Sequence, residues 1–493
     1  MTLNILRIHR ALRLVRLVLP ALAVVCLVSC TAPPPERQIV DAAAAALGGA
    51  SRVSAVKTFV IEGEGTNGNL GQDMTMESTG QQFALSGYRR AVDVAGGRSR
   101  TEQTRTPNFA YFQGPQPQKQ VFGVDGTVAY NVAPDGRATR APDAVARDRR
   151  AEIYHHPITI VRAALDPAAQ LTNPRTAGSE RVVDVATANG LKFTLATDAT
   201  THLPTRVVSM TDNTNLGDVA IETAFSDYED VGGLKLPKRL ATKTDKYATA
   251  EIRASKQSVD ADAGDLAAPD AAKSAAAITG PPPANVTSEE IAKGVWFLAG
   301  QSHNSVVIEF ADHLTLIEAP QNDTRSLAVI AKARSLRSGK PLTEVVNTHH
   351  HFDHSGGVRA AVSEGLTVIT HKANAAFFQD AASRAHTIVP DALAKNPKPI
   401  KVTPVDEELV LKDAAMTVNL YHIAGNPHAD TLLMAYLPRE RLLVEVDAYS
   451  PGAAVQPYAA NLRENIAKRN LRVDRVVPLH GAVVPFAELA KAQ

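Results

Sequence analysis

Residues 349–354 read His-His-His-Phe-Asp-His, four histidines and an aspartate in six positions. Neutral imidazoles and a carboxylate are the ligands that zinc and other borderline divalent cations take. At the end of a strand, residues two apart project the same way, so His349 and His351 can grip one ion. The chain then turns into a helix near Asp353, which aims Asp353 and His354 at a second point close by. His350, between two ligands, points away as support or packing. The spacing fits a metal site better than a solvated charged loop. Three later residues of the right type sit in suitable settings. His428 follows the apolar strand 416–423 in the Gly/Pro loop Ala424-Gly425-Asn426-Pro427-His428. Asp447 closes the apolar run 442–447, and His480 closes the run 476–480. Strand ends are where loops collect active-site groups.

Apolar runs at 295–298, 306–310 and 314–318 read as the strands that carry this region. A helix follows with Leu327, Ile330 and Ala331 on one face. The short strand Val345-Val346 leads into the histidine run. Upstream, 58–63, 120–124 and 191–195 alternate as half-buried strands. Turn signals separate them at Asp125-Gly126, Pro134-Asp135-Gly136, Asn189-Gly190 and Gly232-Gly233. Helices are expected at 37–47 and 157–165. His155, His156 and His202 lack partners at ligand spacing and read as structural, and Trp296 reads as core. Between Asp260 and Ala284 the chain turns to Ala, Asp, Lys and Ser and ends in Gly280-Pro281-Pro282-Pro283, the composition of a linker. The expected organisation is a mainly antiparallel β (α+β) domain over 38–258, a linker over 259–286 and an α/β domain over 287–493.

The 493 residues are 44% hydrophobic and 21% charged, ordinary for a soluble protein with a sizeable core. A net charge of +1 gives no global basic field for nucleic acid. The first 29 residues read as a leader: Arg7, Arg10, Arg13 and Arg16 precede the apolar run 17–28, too short to span a bilayer. The run ends in Leu27-Val28-Ser29-Cys30, which resembles the lipobox of bacterial lipoproteins. That resemblance implies cleavage before Cys30, a lipid on its thiol and a tether over 30–37. Thr31 after Cys30, rather than aspartate, points to the outer membrane. Loss of 1–29 removes four arginines and no acid, leaving 48 basic against 51 acidic residues and a charge of −3. Cys30 is then the single cysteine, so neither an internal disulfide nor a cysteine metal ligand is possible.

His-x-His-x-Asp-His, followed by His, Asp and His at separate strand ends, resembles the metallo-β-lactamase superfamily over about 287–493. The resemblance implies an αββα sandwich with two metals at one edge. It gives His349, His351 and His428 to the first metal, Asp353, His354 and His480 to the second, and Asp447 as the bridge. Zinc is the expected ion, two per chain, with iron or manganese as alternatives. Such metals activate water and polarise the attacked carbonyl or phosphoryl oxygen, so hydrolysis is expected. Asp353 would orient that water and accept its proton. Glu318-Ala319-Pro320 departs from the Asp-rich strand end usual in the superfamily, which touches the support of the second metal.

Within the superfamily, relatives of flavo-diiron proteins usually carry glutamate where this chain has His351. Asp447 stands where true metallo-β-lactamases have cysteine or serine. The 348–354 segment most resembles glyoxalase II, whose long helical C-terminal extension has no counterpart in the 13 residues after His480. Nucleic-acid-processing members fit neither the leader nor the charge. A small ester, lactone, thioester or amide-type substrate in the cell envelope is what remains, with His303, His371 and Tyr449 as candidate contacts and Tyr458 beside them. Two alternatives stay open. One is a mononuclear iron persulfide dioxygenase. The other is a lipid- or lipoprotein-binding envelope protein with a secondary metal domain, because 193–240 resembles the curved-sheet lipoprotein carriers of the periplasm. That resemblance implies an apolar cavity.

Overall fold

The computed structural model describes residues 32–109 and 116–492; the leader and Cys30 lie outside the described residues. Alternation of buried and exposed side chains builds the N-terminal half into one antiparallel sheet of 13 strands. Its first strand, Thr58–Gly68, pairs on one side with Gln82–Asp93 and on the other with the last, Tyr247–Val259. The chain therefore leaves the middle of the sheet, builds one wing out to the strand Ala138–Arg140, and returns through the other.

Helices Pro35–Leu47 and Pro157–Leu165 form where the sequence places them, give or take two residues. Val40, Ala44 and Leu47 of the first pack with Ile158 and Val161 of the second over Val183, Leu195, Val207 and Leu236 of the sheet. Each of the larger side chains contributes on the order of 1.5–3 kcal/mol by leaving water. A third helix, Asp143–Glu152, was not anticipated: it carries three arginines and buries a single residue, Ala146, so it shows no apolar stripe. Between these helices and the sheet, the space lined by Tyr88, His155, His156 and Ile252 is only about 20 Å³. His155 and His156 are buried there, and His155 is bonded to Thr223 and Ser209.

The segment read as a linker is partly packed, against expectation. Ala263 and Leu266 are buried with Val60 and Ala91, and Ala268 and Ala272 with Tyr130, the latter through the short helix Asp270–Ser274. Small side chains let this segment lie close along the sheet.

The C-terminal half is an αββα sandwich. A seven-stranded sheet begins at Thr287–Ala292 and becomes parallel from Leu314–Ile317 through Leu342–Val346 and Thr367–His371 to Val402–Val405. A six-stranded sheet runs from Glu408–Lys412 to Val484–Pro485, with Leu442–Glu445 parallel to Arg475–Pro478. Val306, Ile308, Ile317 and Ile369 of the first sheet share one core with Val418, Leu420, Leu443 and Val477 of the second. Helix Asp323–Leu336 covers the other face of the seven-stranded sheet through Ser326, Val329, Ile330 and Ala333. Of the expected face, Ile330 is buried, whereas Leu327 is half-buried and Ala331 exposed. Trp296 is core, as anticipated, beneath the Arg337 guanidinium.

The two halves are in contact. Met76, Leu216, Val219 and Tyr247 of the N-terminal domain join the cluster that holds Phe377 and Phe378. Among the described residues no helix is long and apolar enough to cross a membrane.

Candidate metal centre

All seven residues assigned to metal binding converge at one edge of the sandwich. His349, His351, His428 and Asp447 bring one ligand atom each within 4.8 Å of one another. Asp353, His354 and His480 form a second such group, together with His303. Each residue lies in the connection that follows a strand. His349 and His351 follow the strand Leu342–Val346, and Asp353 and His354 lie in the helical turn Phe352–Ser355. Asp447 and His480 follow the parallel strands Leu442–Glu445 and Arg475–Pro478.

Asp447 joins the groups. Its Oδ2 lies 3.0 Å from the Nε2 atoms of His354 and His428 and 3.4 Å from that of His349. Its Oδ1 lies 3.1 Å from His480 Nε2. The residue has φ +58°, and Glu318, also at a strand end, has φ +67°. Left-handed backbone costs a non-glycine residue on the order of 1–3 kcal/mol and concentrates at functional sites.

Hydrogen bonds decide which ring nitrogens are free to bind. His354 Nδ1 donates to Glu318 Oε2 at 3.2 Å, and His480 Nδ1 to the Ser302 carbonyl at 3.1 Å. Both Nε2 lone pairs then point inward, 3.1 Å apart. His351 Nε2 donates to the Asp73 carbonyl at 3.0 Å, which leaves Nδ1 as its binding atom. His349 Nε2, His351 Nδ1 and His428 Nε2 are buried and make no hydrogen bond. Three buried, unpartnered ring nitrogens beside a carboxylate are costly unless a cation takes them. The donor set therefore fits a divalent metal of the kind imidazole and carboxylate prefer.

The electrostatics agree. Burial lowers the His349 pKa to about 3 despite the upward pull of Asp447, and burial with His349 and His428 lowers that of His351. Both rings are thereby neutral, the form that binds metal. Burial would also lower His354, but the Asp447 and Asp353 carboxylates raise it well above its ordinary value. Burial would raise Asp447, yet His354 and His428 hold it well below the usual carboxylate range. The charge that draws a proton onto His354 is the charge a cation would neutralise.

Glu318 shows that the departure at 318–320 costs no support. It is fully buried, accepts from the Thr348 amide at 2.7 Å, and orients His354.

A cleft of about 640 Å³ opens over the ligands. Asp353, His428, Asp447 and His480 form its floor, the 448–458 segment one wall, and Asn69, Gln72, Gln81 and Phe109 of the N-terminal domain the other. Tyr458 lines it, with its ring 5.3 Å from that of His428.

The three expected substrate contacts fall elsewhere. His303 Nε2 lies 3.1 Å from Asp353 Oδ2, while its Nδ1 faces Ser302 Oγ and Gln321 Nε2, so it holds a ligand at the second group. His371 is buried against His422, ring centroids 4.5 Å apart, away from the cleft. Tyr449 is buried in the core between the sheets, its amide donating to Glu445. His350 behaves as read: it belongs to neither ligand group, and its two ring nitrogens are taken by Thr431 and the Asp73 carbonyl.

Sequence reasoning missed two supports. Arg325 is buried and donates to the carbonyls of Asn285 at 2.6 Å and His303 at 2.9 Å, fixing the His303 loop. The 69–81 loop reaches the centre from the other domain. His303 precedes the strand Ser305–Glu309 and obeys the same strand-end rule as the ligands; neither Arg325 nor the loop carries any local signal.

Residues 298–444 match the family model described as Metallo-beta-lactamase superfamily. No curated protein sequence matches the chain. Among solved structures, the metallo-beta-lactamase of Pontibacter korlensis is 17% identical with a TM-score of 0.34, over 42% of this chain and 96% of that one. That of Hirschia baltica is 17% identical with a TM-score of 0.33, over 42% and 95%. The FIM-1 metallo-beta-lactamase of Pseudomonas aeruginosa, in its mono-zinc form, is 16% identical with a TM-score of 0.33, over 43% and 94%.

Proposed function

We propose, from the match of residues 298–444 to the metallo-beta-lactamase superfamily model and from the two converging groups of histidines and aspartates, that the protein is a metal-dependent hydrolase that holds two divalent cations and cleaves a small ester, lactone, thioester or amide-type substrate. Zinc is the first candidate, on the nitrogen-rich ligand set. The observation that carries this reading is the convergence of His349, His351, His428, Asp353, His354 and His480 on two points joined by Asp447.

When bound, the metals supply Lewis acidity toward the attacked oxygen and bring the pKa of water toward neutrality. The chain's own groups do the rest. Asp353, reached from the cleft and held by Gln72 and His303, orients the attacking water and takes its proton. Glu318 and the Ser302 carbonyl keep His354 and His480 in the binding tautomer. The remaining lining is neutral: Asn69, Gln72, Gln81, Phe109, Pro451, Val455, Gln456 and Tyr458, with no lysine or arginine among the described residues. Such a wall suits an uncharged substrate. The leader, the lipobox-like ending at Cys30 and the polar tether support an envelope location, anchored to a membrane.

The test is metal analysis of the chain without residues 1–29, alongside His351→Ala and an ester, lactone and thioester screen. Close to two zincs, falling in the variant, with turnover of any of these substrates, is the expected result. One iron per chain would move the assignment to persulfide oxidation, and no metal under replete conditions would overturn the enzyme.

A further inference from the structure

The loop between the first two strands of the N-terminal domain, residues 69–81, touches the 350–353 run at three successive positions, two of them on residues assigned to metal binding. Gln72 Nε2 donates to Asp353 Oδ1 at 2.7 Å. The Asp73 carbonyl accepts from His351 Nε2 at 3.0 Å and, on the same oxygen, from His350 Nε2 at 2.9 Å. The Gly71 carbonyl accepts from the Phe352 amide at 3.0 Å, between two ligands. The approach is close enough to require glycine: a Cβ on Gly71 would lie 2.3 Å from the Phe352 ring, and its φ is +76°.

The loop is folded for this purpose by one side chain. Asp73 is buried, and its carboxylate accepts from the Met74 amide at 2.7 Å, the Ser78 hydroxyl at 2.6 Å and the Gln81 amide at 2.8 Å. Those bonds curl the loop around its own carboxylate and leave the Asp73 carbonyl facing the histidines. The Met74 carbonyl continues the contact by accepting from the Asp430 amide at 3.0 Å, two residues beyond His428.

We infer that the 69–81 loop is a working part of the metal centre: Asp73 positions His351, and so serves the first metal, while Gln72 positions Asp353 and serves the second. The inference rests on the two-metal reading above. Its physical basis is tautomer control. An imidazole whose outer nitrogen donates to a fixed carbonyl presents the other nitrogen's lone pair, and losing such a partner typically costs about 10- to 100-fold in metal affinity. The sharing of one carbonyl by His350 and His351 explains the third histidine of the run. His350 is tied to Thr431 and Asp73 together, and clamps the loop to the domain it serves.

The test uses the full chain without residues 1–29, loaded with zinc and titrated with a competing chelator, with melting temperature and far-UV circular dichroism as controls. Asp73→Ala should weaken one of the two zincs about tenfold or more, and Gln72→Ala should weaken the other. Asp73→Asn, which keeps one acceptor oxygen, should fall between wild type and Asp73→Ala and covers the case in which the alanine variant fails to fold. Asp218 also joins the domains, through the Thr387 and Ile388 amides, without contact with any ligand. Asp218→Ala should leave both zincs unchanged. Wild-type zinc affinity in both loop variants would overturn the inference, as would an equal loss in Asp218→Ala, which would mean that docking alone matters. A wild-type chain that binds no zinc would instead overturn the two-metal reading.

Discussion

Glu318 and His354 form a fully buried pair, the glutamate Oε2 accepting the imidazole Nδ1 proton at 3.2 Å. The pair fixes the tautomer of His354 from a strand end. Glu318→Ala should therefore weaken binding at the second point by about 10- to 100-fold. Glu318→Asp should recover part of the loss. Metal content after graded chelation measures both, and full occupancy in Glu318→Ala would count against the pair.

Asp447 faces both groups, so Asp447→Ala should release both metals and activity together, unlike His428→Ala, which touches only the first group. Metal binding should also stabilise the fold, by about 2.7 kcal/mol per site at a free concentration one hundred times Kd. A chelator should lower the melting temperature of wild type and leave that of Asp447→Ala unmoved.

The uncharged walls of the cleft make a prediction about substrate charge. An uncharged ester should be cleaved with kcat/KM about tenfold or more above that of its carboxylated counterpart. Val455 is 54% exposed on the cleft wall. Val455→Lys should raise cleavage of the carboxylated ester several-fold, since a charge pair at about 4 Å is worth roughly 1–4 kcal/mol between water and a protein surface. Equal rates on the two esters in wild type would sink the idea.

Burial lowers the pKa of both His155 and His156 to about 3, far below the ordinary 6.5. The unfolded chain then takes up protons that the folded chain refuses. Their stability contribution is complete above pH 6.5 and is lost as pH falls toward 3. Each histidine costs about 1.4 kcal/mol per pH unit across that window, or roughly 2 kcal/mol at pH 5. Melting of the metal-free protein should drop between pH 7.5 and 5, and His156→Leu should shallow that slope. A flat profile would contradict the burial argument.

The seven converging side chains were legible because four crowd into the run 349–354 and three follow separate apolar strands, where such residue types have few structural uses. The αββα layout came with them. What escaped the sequence was whatever acts over distance or without apolar pattern. Asp73 and His351 lie 278 positions apart, and a main-chain carbonyl carries no residue signature. Arg325 is a buried cation on a helix whose apolar spacing pointed to Leu327, Ile330 and Ala331, and only Ile330 of these is buried. Helix Asp143–Glu152 hides among its arginines, and the alanine-rich segment after Val259 packs because small side chains fit where composition suggested only a tether. His371 and Tyr449 stood beside apolar runs, but a side chain on a buried strand turns into the protein as readily as into a cleft.

The pairing of Thr58–Gly68 with Tyr247–Val259 sets an order of events. The first strand carries the 69–81 loop on its end, and one of its neighbours is the thirteenth strand, nearly two hundred residues later. Contacts so distant in sequence close late during folding. A chain emerging from its N-terminus would thus complete the first sheet only after residue 259, and seat the loop only once residues 349–354 have followed. The centre matures last, when both halves are present, and a nascent chain carries the 69–81 loop well before the histidine run that the loop holds.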